Sequence, residues 1–162
     1  MNTTLENSVY ETTDWINSSK QKEWITNDRW KLGGISSIYT LSNFESAEKN
    51  SSFITSNHIG IMTVTDFGYG SSDNGCISDT NLNYRDNACM NSNWLKSTIN
   101  LEWTIISRSE SLVFSINALN NNLSLSNAFA TNRGVRPVII LDSDVKIKSG
   151  NGTENDPYLL GK

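Results

Sequence analysis

Cys76 and Cys89 are the only cysteines, and both lie in a stretch rich in Gly, Asn and Asp. Such neighbours do not mark a core, where free thiols usually sit. An even pair in a polar loop favours a disulfide in an exported protein. Two free thiols or a zinc pair are the alternatives. Zinc normally takes four ligands, and the chain offers one His and no Cys-x-x-Cys. That histidine, His58, has no nucleophile motif such as Gly-x-Ser-x-Gly to serve, so a structural or solvated role fits it better than catalysis. The Asp and Asn residues between Asp73 and Asn87 could supply calcium oxygens, but their spacing is not that of an EF-hand. Asx residues equally make turns. Asp66-Phe-Gly-Tyr-Gly contains a kinase-like tripeptide and a Gly-x-Gly, yet neither the catalytic-loop motif nor the third glycine accompanies them. It reads as a strand leaving the core through a tight turn. No spacing singles out two of the 17 acids as a glycosidase pair. The five tryptophans could stack on sugars or simply pack. Trp103 reads as core, and Trp94, just after the cysteine stretch, as a candidate for a binding surface.

These residues need elements to position them. Leu5, Val9, Trp15, Ile16, Trp24 and Ile25 recur at roughly helical spacing, which predicts one or two helices over 5–30. Asp14 is a candidate cap, and Asn27-Asp28 a candidate end. A short helix is read over 41–48. Residues 59–65 are β-branched and bounded by turn residues, as in a strand. The following stretch, 66–93, reads as a long irregular loop, and loops of that length are often functional. Strands are then expected at 103–107, 112–116, 123–126, within 135–141, at 145–148 and at 158–160. Gly150-Asn-Gly-Thr is a turn signal between the last two. Arg136 lies inside an apolar run, so it should be half-buried and paired with a carboxylate or with carbonyls. Pro137 cannot donate to a ladder, which places its strand at an edge or interrupts it there. Helical signal first and strands later predicts an α+β fold, with N-terminal helices packed on a mainly antiparallel sheet.

The chain has 162 residues and a formal net charge of −4, which suits one domain with an adequate core. Ser and Asn together make up roughly a quarter of it, well above ordinary usage. Fifteen aromatic residues argue against disorder. The acidic balance argues against a nucleic-acid partner, which needs clustered Lys and Arg. No apolar run approaches a membrane span, so no membrane insertion is expected. The N-terminus shows no basic and apolar leader pattern, so the chain is either not exported or a mature fragment with a start Met. Five Asn-x-Ser/Thr sequons, at Asn2, Asn17, Asn50, Asn122 and Asn151, are explained by composition alone but fit a polar, water-facing surface.

Several segments, in order, resemble an uncharacterised domain of secreted and cell-surface proteins of bacteria, mostly Gram-positive. They are Trp30-Lys-Leu-Gly-Gly, His58-Ile-Gly-Ile-Met-Thr-Val-Thr-Asp-Phe-Gly-Tyr-Gly, Cys76 through Cys89-Met-Asn-Ser-Asn-Trp-Leu, Glu102-Trp-Thr-Ile-Ile-Ser, Gly134-Val-Arg-Pro-Val-Ile-Ile-Leu, and the closing stretch from Val145 to Leu160. That domain is similar in turn to the C-type-lectin-like fold shared by formylglycine-generating enzymes and variable receptor-binding proteins. The resemblance implies long irregular loops on the α+β frame. It also implies that relatives begin further upstream, so that this single domain, 1–162, is trimmed at its N-terminus. Cys76 and Cys89 precede the Trp-Leu motif and do not match the copper-binding pair of the enzymes. The Glu-Pro-Asn and Trp-Asn-Asp tripeptides of calcium-dependent lectins are absent, Asn93-Trp94-Leu95 being the nearest.

The expectation is a non-catalytic binding or adhesion module, extracellular or on a cell surface, with a glycan or protein ligand. Tyr69, Asp73, Asn93 and Trp94 are the ligand-contact candidates. No metal site is assigned, and calcium is the one cofactor left open. The alternatives are a purely structural spacer and a relative of the sulfatase-modifying enzymes.

Overall fold

In the computed structural model, residues 23–32, 35, 40–77, 82, 87–96, 101–117 and 122–162 are described. The elements in chain order are β1 (Asp28–Lys31), α1 (Leu41–Asn50), β2 (Ile54–Asn57), β3 (Ile59–Ile61), α2 (Val64–Tyr69), α3 (Asn74–Ile77), α4 (Asn87–Asn91), β4 (Leu101–Ser107), β5 (Leu112–Asn117), β6 (Asn122–Asn127), β7 (Pro137–Ile139), β8 (Lys146–Ser149) and β9 (Leu159–Gly161). The fold is α+β, with antiparallel pairing in its largest sheet.

Two compact units are present. The larger comprises Arg29–Thr55 and Gly60–Val138. Its frame is the meander β4–β5–β6. β5 pairs with β6 in unbroken register from Leu112 opposite Asn127 to Asn117 opposite Asn122. The β4–β5 register shifts between Trp103 and Ser107. Around that irregularity β4 also bonds to other segments: Trp103 N–H donates to Gly134 O, Ile105 N–H to Met62 O, and Ser107 N–H to Leu32 O. β4 is therefore flanked on both edges, and Val113, Phe114, Ser115 and Ile116 of β5 are all buried. Phe114 meets Phe44 of α1 edge-to-face at 5.1 Å between centroids, a geometry aromatic pairs favour. The buried hydroxyls in the middle of the sheet find partners, as buried polar groups usually do. Thr104 Oγ1 donates to Phe114 O, and the Ser115 and Ser126 hydroxyls bond each other.

The smaller unit comprises Met1–Asp28, Ser56–Ile59 and Ile139–Lys162. Thr26 N–H donates to Ile140 O and Asp142 N–H to Trp24 O, so two distant chain segments zip together around the Ile25–Leu141 bridge. β8 and β9 form an antiparallel hairpin. Its turn holds Gly150 and Gly152 at φ +89° and +81°, the left-handed region where a Cβ is strained.

The helical reading of 5–30 falls largely on residues outside the described set. Where it can be followed it is corrected: Ile25 sits in a β-bridge, Asp28–Lys31 is a strand, and the first described helix begins at Leu41. Alternating burial along Asp28–Lys31, with a strand partner in β2, outweighs the helical spacing of the tryptophans. The short helix at 41 forms and runs on to Asn50. The strand read over 59–65 ends at Ile61. The loop read over 66–93 contains helical segments α2, α3 and α4, with residues 78–81 and 83–86 outside the described set. Asp66-Phe-Gly-Tyr-Gly is a helix, not a turn leaving a strand. Thr63 Oγ1 accepts from Asp66 N–H while Asp66 Oδ2 accepts from Thr63 N–H, a reciprocal capping box. Gly68 is needed for contact: a Cβ there would run into the Leu41 side chain. The four candidate strands from 103 to 139 and the final hairpin are present with shifted ends, and Trp103 is half-buried. Asn122 already belongs to β6, one residue before the expected start of that strand.

Candidate functional site

The larger unit carries an open cleft of about 360 Å³. It forms where α2, the segment after α4, and the approach to β7 converge. Met62, Gly70, Leu95 and Val138 supply its apolar lining, Thr65, Asp66 and Arg136 its polar groups, and Tyr69 and Trp94 its aromatic rings.

A two-armed clamp places Trp94. One arm leaves the C-terminus of α2 at Gly70 and runs to Cys76. The other runs from Cys89 to Leu95. Cys76 and Cys89 form a disulfide with 5.4 Å between their Cα atoms. Although their sequence neighbours are polar, both half-cystines are buried. Beyond the bridge, Ser71 and Asn93 pair as an antiparallel β-bridge, Ser72 N–H donates to Ser92 O, and the Ser71 and Ser92 hydroxyls bond each other. The arms approach closely at Gly70, where a Cβ would sit 2.5 Å from Asn93 Oδ1.

Asn93 is 4 % exposed. Its Nδ2 donates to Phe67 O at 2.8 Å, and its Oδ1 accepts from Leu95 N–H at 2.9 Å. Its amide thus staples the second arm to α2 and lies beneath the cleft, not in it. Trp94 N–H donates to Gly70 O. With its backbone fixed between two buried residues, Trp94 still leaves its ring 77 % exposed. Burying a side chain of that size would stabilise the chain by roughly 2–3 kcal/mol, so its outward position stands out.

Tyr69 ends α2 and is 48 % exposed. Its hydroxyl donates to Glu45 Oε2 at 2.7 Å, and Lys49 holds the same carboxylate. These two hydrogen bonds, Lys49's first, keep the Glu45 carboxyl below its ordinary range. Asp73 is exposed outside the cleft lining; its Oδ1 accepts from Gly75 N–H at the entry to α3. Of the four ligand-contact candidates, then, Tyr69 and Trp94 come together, Asn93 supports them, and Asp73 stands apart.

Arg136, expected from the sequence to be half-buried and paired but not a site residue, lines the cleft. Gly134 pairs in parallel with Glu102 of β4, which sets Arg136, two residues on, beside that carboxylate. Arg136 Nη2 donates to both Glu102 oxygens at 3.2 Å. The Glu102 side chain is 4 % exposed and that of Arg136 30 %. The expected pairing of Arg136 with a carboxylate is thus present. No described residue takes its Nε or Nη1 donors. Asp66 was also missed as a site residue. A Thr-x-x-Asp signature at Thr63 would have ended the strand early and put Tyr69 on a helix.

Glu48 of α1 lies behind Thr65, 8 % exposed. Thr65 Oγ1 donates to its Oε2, and Thr65 N–H to its Oε1 at 3.3 Å. Burial, partly offset by the Thr65 hydrogen bonds and reinforced by the charge of Asp66, pushes its pKa up to about 7.

Among the described residues, no three of His, Cys, Asp and Glu gather as a metal site. Most of the Asp and Asn residues proposed for calcium lie outside the described set. No helix among the described residues is long and apolar enough to cross a membrane. No protein-family model, curated protein or solved structure matches the chain.

Proposed function

We propose that the chain is a non-catalytic binding module of a bacterial secreted or cell-surface protein, built on a C-type-lectin-like frame, with its ligand in the Tyr69–Trp94 cleft. The observation that carries this reading is Trp94: a fully anchored backbone presents an exposed indole beside an exposed Tyr69 at an open cleft. The Cys76–Cys89 bridge favours an oxidising, extracellular setting. The order of sequence segments set out above supports the family and the frame. The non-catalytic reading is supported by the acids in the cleft and behind it. Glu48 is enclosed against Thr65, Glu102 is tied to Arg136, and Asp66 caps α2.

The test is a binding screen of the oxidised protein against glycans, cell-wall polymers and extracellular proteins, with and without calcium. A saturable ligand, released unchanged and lost in Trp94→Ala, is expected. A ligand that Trp94→Ala still binds would move the site elsewhere. A blank across all classes would favour the structural-spacer reading. Binding that requires calcium would point back to the Asp/Asn-rich segment.

A further inference from the structure

We propose that the cleft receives an uncharged sugar ring, stacked on Trp94 and hydrogen-bonded through its hydroxyls to Asp66 and Arg136 without an intervening metal. This rests on the binding-module reading and narrows it to one ligand chemistry. A pyranose has two apolar C–H faces and a rim of hydroxyls, each able to donate and accept. The cleft offers the complement of both. Trp94 and Tyr69 supply flat apolar surface. Asp66 commits Oδ2 to the helix cap, which leaves Oδ1 as an acceptor at the cleft. Arg136 commits Nη2 to Glu102, which leaves Nε and Nη1 as donors. The hydroxyls of a sugar can donate to the first and accept from the second.

Charge argues for a neutral ligand. Arg136 is already balanced by Glu102, and Asp66 adds a negative charge to the lining of the same cleft. The chain as a whole is at −4. An acidic ligand would therefore meet no net attraction. A cationic one would compete with Arg136 for the same face. Size agrees, since about 360 Å³ lies at the small end of ligand clefts. Calcium takes about six to eight oxygens, and Asp66 is the one carboxylate of the lining.

The test titrates the oxidised protein with methyl glycosides of glucose, galactose and N-acetylglucosamine, with the matching uronic acids, and with an aromatic-rich peptide. Affinity is read by calorimetry and location by amide and indole NMR shifts, in EDTA. At least one neutral glycoside is expected to bind saturably and to shift the Trp94 indole and the amides of α2. Trp94→Ala, exposed and so free of a folding penalty, should weaken it about tenfold or more. Asp66→Asn keeps an acceptor for the cap but turns the other oxygen into a donor, and Arg136→Lys keeps the charge but loses the planar fork. Each should weaken the sugar severalfold, Asp66→Asn with little change in thermal stability and Arg136→Lys with some loss, because Lys holds the buried Glu102 less well. Tighter binding of the uronic acid, or neutral binding unaffected by these variants, would overturn the proposal. Peptide binding that depends on Trp94, with no sugar binding, would overturn it while leaving the binding-module reading intact. If Trp94 matters to no ligand, both fall.

Discussion

At the level of single residues, the cleft is shaped by what is buried as much as by what is exposed. Glu48 is the clearest case. Its pKa is held near 7 against an ordinary 4.5 because burial disfavours the ionised form. The folded state therefore binds the proton more tightly than the unfolded chain. The stability this contributes is complete below pH 4.5 and is lost as pH rises to about 7. A displacement from 4.5 to about 7 corresponds to about 3 kcal/mol. Glu48→Gln should flatten that slope and leave the variant more stable than the parent at pH 8. Urea unfolding at pH 5 and pH 8 checks this, and parallel slopes in the two proteins would show that Glu48 does not titrate in this range. Nothing in the spacing of Glu48 announces the behaviour, because it depends on burial that only the packed fold creates. Arg136 was more legible. A lone cation inside an apolar run demands a partner, and only the identity of that partner, Glu102, needed the fold. Removing it by Glu102→Ala should destabilise by about 2–3 kcal/mol, since it leaves a part-buried charge uncompensated. Chemical denaturation measures it, and Glu102→Gln should lose less.

At the level of elements, the disulfide is the hinge of the site. Its arms carry Gly70 and Trp94, so the bridge sets the distance between α2 and the indole. Closing a loop of 13 residues contributes about 3 kcal/mol by chain entropy. Reduction, or Cys76→Ser with Cys89→Ser, should lower the melting temperature and weaken any Trp94-dependent ligand together. Loss of stability with affinity retained would show that the serine bridges alone hold the arms. The pairing was readable from two cysteines in a polar stretch, although their burial was not. The helices of that stretch were hidden because Gly, Asn and Ser dominate it, and propensity there is weak. What makes α2 helical is the Thr63–Asp66 box at its start and the packing of Gly68 on Leu41. The first is a local signal that could have been read. The second is not visible without the partner helix.

For the whole molecule, the strands were the most legible part. β4, β5, β6 and the β8–β9 hairpin all follow alternating or β-branched runs bounded by turn residues. The early helical reading failed where it can be followed, because Ile25 and Asp28–Lys31 pair with segments distant in sequence. Acidic composition has its own consequence. With a net charge of −4 the chain should not retard DNA or bind heparin at physiological salt, and a gel shift at low salt is the stringent check. The exposed indole has a consequence of another kind. Trp24, Trp30 and Trp103 are each at least partly shielded, whereas Trp94 is 77 % exposed. Among the described tryptophans Trp94 is therefore the one whose emission lies furthest to the red, and iodide should quench it before the other three. The protein carries its own optical label at the mouth of the cleft, and an occupant that covers the ring would shift the colour of the light before any dye is attached.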